Sequence, residues 1–402
     1  MQNINPIEQN QRTAIVDILR GWALLGVVLV NYSLFFSFRN NSRIPGNDIV
    51  SLFLQQLVSI IFATKCWTML SFLFGYGFSA LIKNIELKGI DPVPLFSRRM
   101  FWLLIIAFIN SCLYYGDILK DYALMGMIIL LFYRISAKTS LCIAIFLLLL
   151  IPAVSVYAKS LHFTREEPGL YLYQSHNFCK VLWFGLRSGI NVILSVDKLL
   201  TWNLVMLACA FMGQFVQKTG YFNRMAKNKK PLKRIFWSAL AFAFFLAIIH
   251  FSNSTLNFEK YYDLEYWFKL CLMIIIMSAL CWLYVSQKLK RFFKAMQITG
   301  RMTLTNYLVQ NFIALFLFSG FGFGLLHKLS YSYYILLAFT VYIAQIYFSI
   351  WWLSKYHYGP VEWLWRQLSY GKKLALLKKP IKLLKDPKQI KQVTFLKSEE
   401  SC

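Results

Sequence analysis

The sequence predicts an all-α, polytopic transmembrane helical bundle of about 10 spans, with both termini in the cytoplasm (N-in/C-in). Three observations carry that prediction. Of 402 residues, 58% are hydrophobic and only 15% charged, against about 25% charged in an ordinary soluble domain. Apolar stretches of roughly 20 residues recur along the chain, the length a helix needs to cross a hydrocarbon slab of about 30 Å. These stretches are continuous, as in Leu141 to Leu150, whereas barrel strands alternate apolar and polar over about ten residues. Helices also satisfy their own backbone groups, which lipid cannot do.

The first span runs from Gly21 to Phe38 after a cytoplasmic N-terminal segment, 1–20. An apolar, amphipathic stretch from Ile49 to Ala63 then either lies on the membrane or extends the second span, Cys66 to Ile82. The third is Phe101 to Tyr115. The fourth, Tyr122 to Tyr133, is short, and a helix starting at Asp117 would lengthen it. Leu141 to Tyr157 is the fifth. After an extracytoplasmic loop, 158–198, come Leu199 to Val216, Ile235 to Phe251, Tyr266 to Val285, Met302 to Leu326 and Tyr331 to Leu353. The predicted organisation is therefore an N-terminal membrane bundle of five spans (21–157), the loop, a C-terminal bundle of five (199–353) and a basic interfacial tail (354–402).

Basic residues set the orientation. With the N-terminus inside, the cytoplasmic loops hold eighteen Lys and Arg residues, including seven between Lys218 and Arg234 and five between Lys288 and Arg301. The short outer loops hold six: Arg39, Arg43, Lys65, Lys120, Lys260 and Lys328. The formal charge of +26 is thus a topology signal, and no nucleic-acid partner is expected. The expected partner is the bilayer. In KKLALLKKPIKLLK (372–385) Leu and Lys segregate as on a helix lying on anionic lipid. The eight cysteines include no CxxC pair and fall largely inside apolar spans, so they read as small apolar side chains. About twenty mostly polar residues precede the first span with no small-residue cleavage site after it, so no cleavable signal peptide is expected. The five histidines (162, 176, 250, 327 and 357) have no second His or carboxylate at metal-ligand spacing, so neither metal nor cofactor is expected. No P-loop or nucleophile elbow is present.

Charged or strongly polar groups at membrane depth are costly and mark function or pairing. Asp17 and Arg20, three apart at the cytoplasmic mouth of the first span, share a helix face and suit a substrate or headgroup site, or an interfacial ion pair. Asp117 follows Gly116 and either caps the fourth span or accepts a proton or cation. In GRMTLTNYLVQN, Arg301 stands at the inner boundary and Thr303, Asn306 and Gln310 line one face, a stripe suited to a pathway or to interhelical hydrogen bonds. In YHYGPVEWLWRQLSYGKK, Gly359-Pro360 breaks the chain and pre-sets a helix start. Glu362 and Arg366 then stand at i, i+4, and Trp363 and Trp365 suit an interfacial belt.

These residues also carry a resemblance. DILRGWALLGVVLVN (17–31), MLSFLFGYGF (69–78), the Arg98-Arg99 pair, GDILKDYALMG (116–126), GRMTLTNYLVQN (300–311), FGFGL (321–325) and YGPVEWLWR (358–366) resemble the YeiB-like family of bacterial membrane proteins, a domain-of-unknown-function family. The resemblance implies the bacterial cell (cytoplasmic) membrane, a multi-pass chain and a role in transport. Relatives often carry a His in the third span shortly before the Gly-Asp pair, where this chain has Asn110. The opening DxxRG is shared with membrane acyltransferases. Two functions follow as expectations: transport of a small solute, with Asp117 and Arg301 at opposite faces of a pathway lined by Asn306 and Gln310, or acyl transfer to a lipid or sugar acceptor, which would need a general base, usually His.

Overall fold

The computed structural model describes residues 14–37, 49–114, 116–160, 173–225, 228–256, 262–326 and 328–378. Among these the chain is all-helical apart from one isolated β-bridge. Among the described residues eight helices are long and apolar enough to cross a membrane. Their outer faces carry what only lipid would welcome: Phe146 on one helix, Trp237 and Phe244 on another, and Leu336, Tyr347 and Trp351 on a third all stand open. This is a multi-pass membrane protein.

α1 (Ala14–Ser37) begins earlier than expected, so Asp17 and Arg20 lie within the helix and not in the segment before it. It is the most enclosed of the long helices, with Leu19, Ala23, Leu24, Val28 and Leu29 fully buried. α2 (Ile49–Ile61) leads almost directly into α3 (Lys65–Glu86). The break falls at Thr64, whose φ of 59° is foreign to a helix. The stretch from Ile49 is thus a helix of its own that extends the second span. α4 (Pro92–Leu113) starts at Asp91, whose side chain accepts the Val93 N–H, with Pro92 at the first turn.

The two predicted spans that fall short are α5 (Leu119–Leu131, 13 residues) and, further on, Thr303–Phe318 (16 residues). At 1.5 Å per residue they measure about 20 and 24 Å. α6 (Ala137–Ser160) follows α5. The segment read as a long loop contains an amphipathic helix, α7 (Phe178–Leu194), packed on α4. α8 (Leu199–Lys218) opens with a π-helical turn, Leu199–Asn203. α9 (Tyr221–Met225) and α10 (Lys230–Leu256) lead to α11 (Glu265–Val285) and α12 (Lys290–Gly300). Arg301 and Met302 separate α12 from α13 (Thr303–Phe318). α14 (Tyr331–Lys355) and α15 (Pro360–Tyr370) complete the helices.

Helices from either side of the expected division at 157 and 199 interleave: α1 packs on α12 and α14, and α3 runs along α8. Glycines allow both approaches. A Cβ on Gly300 would stand 1.8 Å from the Asp17 carbonyl oxygen, and one on Gly213 1.9 Å from that of Phe72. Small residues at such crossings let helix backbones approach, which is how helices associate in lipid.

The basic tail departs from expectation where it is described. Residues 372–378 do not form a helix. They return against the end of α14, with His357 N–H donating to Leu376 O (2.9 Å) and Lys378 N–H to Lys355 O (3.0 Å). The remainder of the expected interfacial helix, from 379 on, lies outside the described residues.

Because the obstruction at Gly300 is backbone, Gly300→Ala should destabilise by about 1–3 kcal/mol or more, lowering the temperature at which detergent-solubilised protein loses its monodisperse gel-filtration peak. Phe146→Ala, on a face 63% open, should leave that temperature nearly unchanged.

Candidate functional site

The site begins with a break in a helix. α12 ends at Gly300 and α13 restarts at Thr303, so the first amides of α13 have no intrahelical partner. Glu362 supplies one. Its Oε1 accepts the N–H groups of Leu304 (2.7 Å) and Thr305 (3.0 Å), and its Oε2 accepts the Thr305 hydroxyl. A carboxylate at a helix N-terminus also meets the positive end of the helix dipole. The Gly359-Pro360 turn delivers it: Pro360 opens α15, and a Cβ on Gly359 would stand 2.1 Å from Glu362 Oε2. Burial pushes the Glu362 carboxyl above the usual carboxylate range, against the three donors that favour its ionised form.

α15 is held on α4 and does not float on a surface. Trp365 donates its indole N–H to Arg99 O (2.9 Å), and the Arg99 guanidinium covers the Trp365 ring at 3.7 Å. Trp363 donates to Leu374 O (2.8 Å) in the returning tail. The pair read as belt residues therefore fastens this helix. Arg366 lies 4.7 Å over the Tyr358 ring.

Between α1, α3, α4, α5, α13 and α15 lies a cavity of about 610 Å³. Its mouth brings together five basic side chains from five segments: Arg20, Lys83, Arg99, Arg301 and Arg366. Two carboxylates join them. Asp17 is ion-paired with Arg20 (3.2 Å), and Glu362 is committed to α13. Gly77 makes room for Arg20, since a Cβ there would lie 3.0 Å from its guanidinium. Inward, the walls become apolar: Leu24, Leu70, Phe74, Leu103, Ile118 and Leu119.

At the far end of the lining from the basic side chains, Tyr307 donates its hydroxyl to Asp117 Oδ1 (3.2 Å). Asp117 is 1% exposed. The same oxygen accepts Asn110 Nδ2 at 2.5 Å, and Asn110 Oδ1 accepts Asn311 Nδ2 at 3.2 Å. Asp117 also caps α5 through the Lys120 N–H (3.3 Å), while Lys120 Nζ donates to Asp117 O (2.6 Å). Asn110 follows Arg99 by eleven residues on α4, which sets this cluster about 16 Å along the helix from the mouth. Beside it, Asp121 is fully buried and paired with Lys198 at 2.6 Å. Further along the same elements, Ser111 Oγ, the Gln310 amide, Asn311 Oδ1 and Ser319 Oγ are buried without a protein hydrogen-bond partner among the described residues.

Of the predicted site residues, Asp17, Arg20, Arg301, Glu362 and Arg366 meet in the one cavity, and Asp117 stands behind its end wall. Asn306 and Gln310 do not line it. Asn306 braces α13 on α14, donating to Ser349 Oγ (3.0 Å) and Thr299 O (3.3 Å), with Gln345 donating to Asn306 O (2.7 Å). Gln310 is turned away from the cavity, and its backbone oxygen accepts the Tyr32 hydroxyl (3.0 Å). Lys83 and Arg99 entered the sequence analysis only as cytoplasmic basic or motif residues, and Tyr307 only within GRMTLTNYLVQN. Lys120, Asp121 and Lys198 were not singled out as a buried cluster. Among the described residues no group of three or more His, Cys, Asp or Glu side chains could hold a metal ion.

Comparison with known proteins agrees with the motifs. A family model described as "Protein of unknown function (DUF418)" matches residues 216–372, a stretch that includes Arg301, Tyr307, Glu362 and Arg366. The chain is 27% identical over 412 residues to "Uncharacterized protein YxaH" of Bacillus subtilis (strain 168), covering 92% of this chain and 97% of that protein. It is 28% identical over 382 residues to "Uncharacterized 39.9 kDa protein in amylase 3'region" of Bacillus acidopullulyticus, covering 94% and 99%. It is 25% identical over 407 residues to "Uncharacterized protein YeiB" of Escherichia coli (strain K12), covering 89% and 96%. The chain is a relative of the DUF418 and YeiB-like bacterial proteins.

The raised Glu362 pKa has a definite consequence for stability. A carboxyl that holds its proton more tightly when folded contributes stability that is present at low pH and lost as pH rises through its folded pKa. Thermal midpoints in detergent should therefore fall as pH climbs above the ordinary Glu value of about 4.3. Glu362→Gln should remove that decline. Glu362→Ala should cost about 0.5–2 kcal/mol at every pH, the price of a lost cap.

Proposed function

We propose that this relative of the DUF418 and YeiB-like proteins moves a small anionic solute across the bacterial cytoplasmic membrane, entering by the basic-mouthed cavity and passing the Tyr307–Asp117 wall. The chain then crosses about ten times, N-in and C-in, with the short helices α5 and α13 counted among the crossings. In this reading the cavity mouth faces the cytoplasm, and the positive-inside asymmetry supports it.

The observation that carries this reading is the Tyr307–Asp117 contact. One hydroxyl closes a charged, open cavity and touches a buried carboxylate at membrane depth, beyond which lie buried polar atoms of the kind that water or solute satisfies. Intramembrane carboxylates are recurrent proton and ion relays. In this scheme Arg20, Arg301 and Arg366 receive the anion and Asp117 couples its passage to a proton or cation. Asn110 and Asn311 extend the path, and Gln310 belongs to its outer half. A passage closed on one side and open on the other is the resting half of an alternating-access cycle.

Acyl transfer is the second reading, favoured by one feature, the change from charged mouth to apolar depth. A general base is its weak point: of the described histidines, His176, His250 and His357, none lines the cavity.

Metabolite and lipid profiling of a deletion strain tests both readings. Complementation by the wild-type gene should restore the distribution of an anionic solute across the membrane, and Asp117→Asn and Tyr307→Phe should fail to restore it while reaching the membrane at normal levels. Full rescue by both variants would refute the pathway, and loss of an acylated product with no solute imbalance would favour transfer. Cysteines placed between Lys218 and Arg234 should react with an impermeant maleimide only after the cells are opened.

A further inference from the structure

The shape and polarity of the cavity together narrow what it can hold. On α3 its wall runs from Leu70 to Asn84, about 21 Å of helix. That is far longer than an inorganic anion needs. The volume, about 610 Å³, is that of pockets enclosing a whole small molecule. Charge is confined to one end of this length, where Leu81, Phe96 and Met100 also line the wall. The five basic side chains stand at the mouth, and Leu70, Phe74, Leu103 and Leu119 stand in the depth. A fully hydrated solute would leave the apolar depth unfilled, and a pure hydrocarbon would bring no acceptor to the charged end. A molecule with an anionic head and a single apolar chain satisfies both ends at once. Among the described lining residues five are basic and two, Asp17 and Glu362, are acidic, so this lining carries more positive than negative charge. Arginine forks suit phosphate or carboxylate oxygens in particular.

We infer that the cavity is a binding site for a single-chain amphiphilic anion, its phosphate or carboxylate head among Arg20, Arg99, Arg301 and Arg366 and its chain running inward along α3 toward Tyr307. This deepens the transport reading by naming the substrate class, and it rests on the same cavity being the solute site.

The test is equilibrium binding to the full chain in phosphatidylcholine nanodiscs, with radiolabelled dodecyl phosphate as the probe. Saturable binding is expected, with inorganic phosphate and dodecanol each competing at least about tenfold more weakly, since each lacks one of the two contacts. Arg301→Gln should weaken binding about tenfold, the loss of a charge-assisted contact. Phe74→Asn should weaken dodecyl phosphate but leave competition by phosphate unchanged. Lys83→Gln, at the open rim, guards against misfolding and should show a smaller loss in the same direction. Equal competition by phosphate would overturn the chain site, and equal competition by dodecanol would overturn the head site. Displacement by lysophosphatidylglycerol doped into the nanodisc would identify the source as a single-chain membrane lipid, and displacement by soluble lauric acid alone would identify a free amphiphile. Binding without transport in sealed proteoliposomes would refute the transport reading and leave this one standing. Transport of a short hydrophilic anion without dodecyl phosphate binding would do the reverse.

Discussion

The architecture around the cavity depends on a carboxylate seated on the start of a helix. α13 begins inside the protein, behind a break, where its first amides can reach neither the preceding turn nor bulk water. In a low-dielectric setting such donors are costly to leave unmet. Glu362 meets them from 57 residues away, carried there by a Gly-Pro turn that turns α15 back beneath the bundle. That single contact fixes the position of α15. Through Trp365 and the Arg99 guanidinium it fixes α15 against α4, and it places Arg366 at the rim. The mouth of the cavity is thus assembled by the same residue that stabilises its back wall.

The two short helices follow the same logic. α5 is capped by Asp117 and α13 by Glu362, and both caps lie against the cavity. A helix that starts within the membrane needs a partner for its amide end, and a carboxylate is the strongest available. In the proposed reading Asp117 serves both as this cap and as the coupling group, so one side chain carries the structural and the functional role.

Much of the fold was legible because lipid imposes a length and a polarity that a linear pattern displays. α1, α4, α6, α11 and α14 fall where apolar runs of membrane length stand, and the Gly359-Pro360 break opens a helix as its residues require. The motif residues Asp17, Arg20, Arg301, Glu362 and Arg366 were each visible as charges too near the membrane. Their convergence was not, because nothing within VDILRG or YGPVEWLWR states which distant segment faces it. Glu362 was read with Arg366, one turn on, whereas its oxygens serve Leu304 and Thr305. Asn306 and Gln310 were read as path-lining from a shared helix face, but a face says only that it is buried, not what covers it. Lys198 looked like a loop charge until folding set it on Asp121. The tail through Lys378 has a helical Leu-Lys rhythm, yet backbone pairing with the end of α14 holds it extended.

The amide of Asn110 has one further consequence. An ionised or neutral Asp117 Oδ1 that already takes the Tyr307 proton is an acceptor, so the NH₂ side of Asn110 must point toward it. Its carbonyl then points away and fixes the NH₂ side of Asn311, leaving Asn311 Oδ1 as the last atom of the series. The two amide dipoles are thereby aligned in one sense, positive ends toward Asp117 and the negative end on the buried Asn311 Oδ1. The series therefore closes on an acceptor that a hydrogen-bond donor or a cation would satisfy, and turning over either amide would break it at Asp117 or at Asn110.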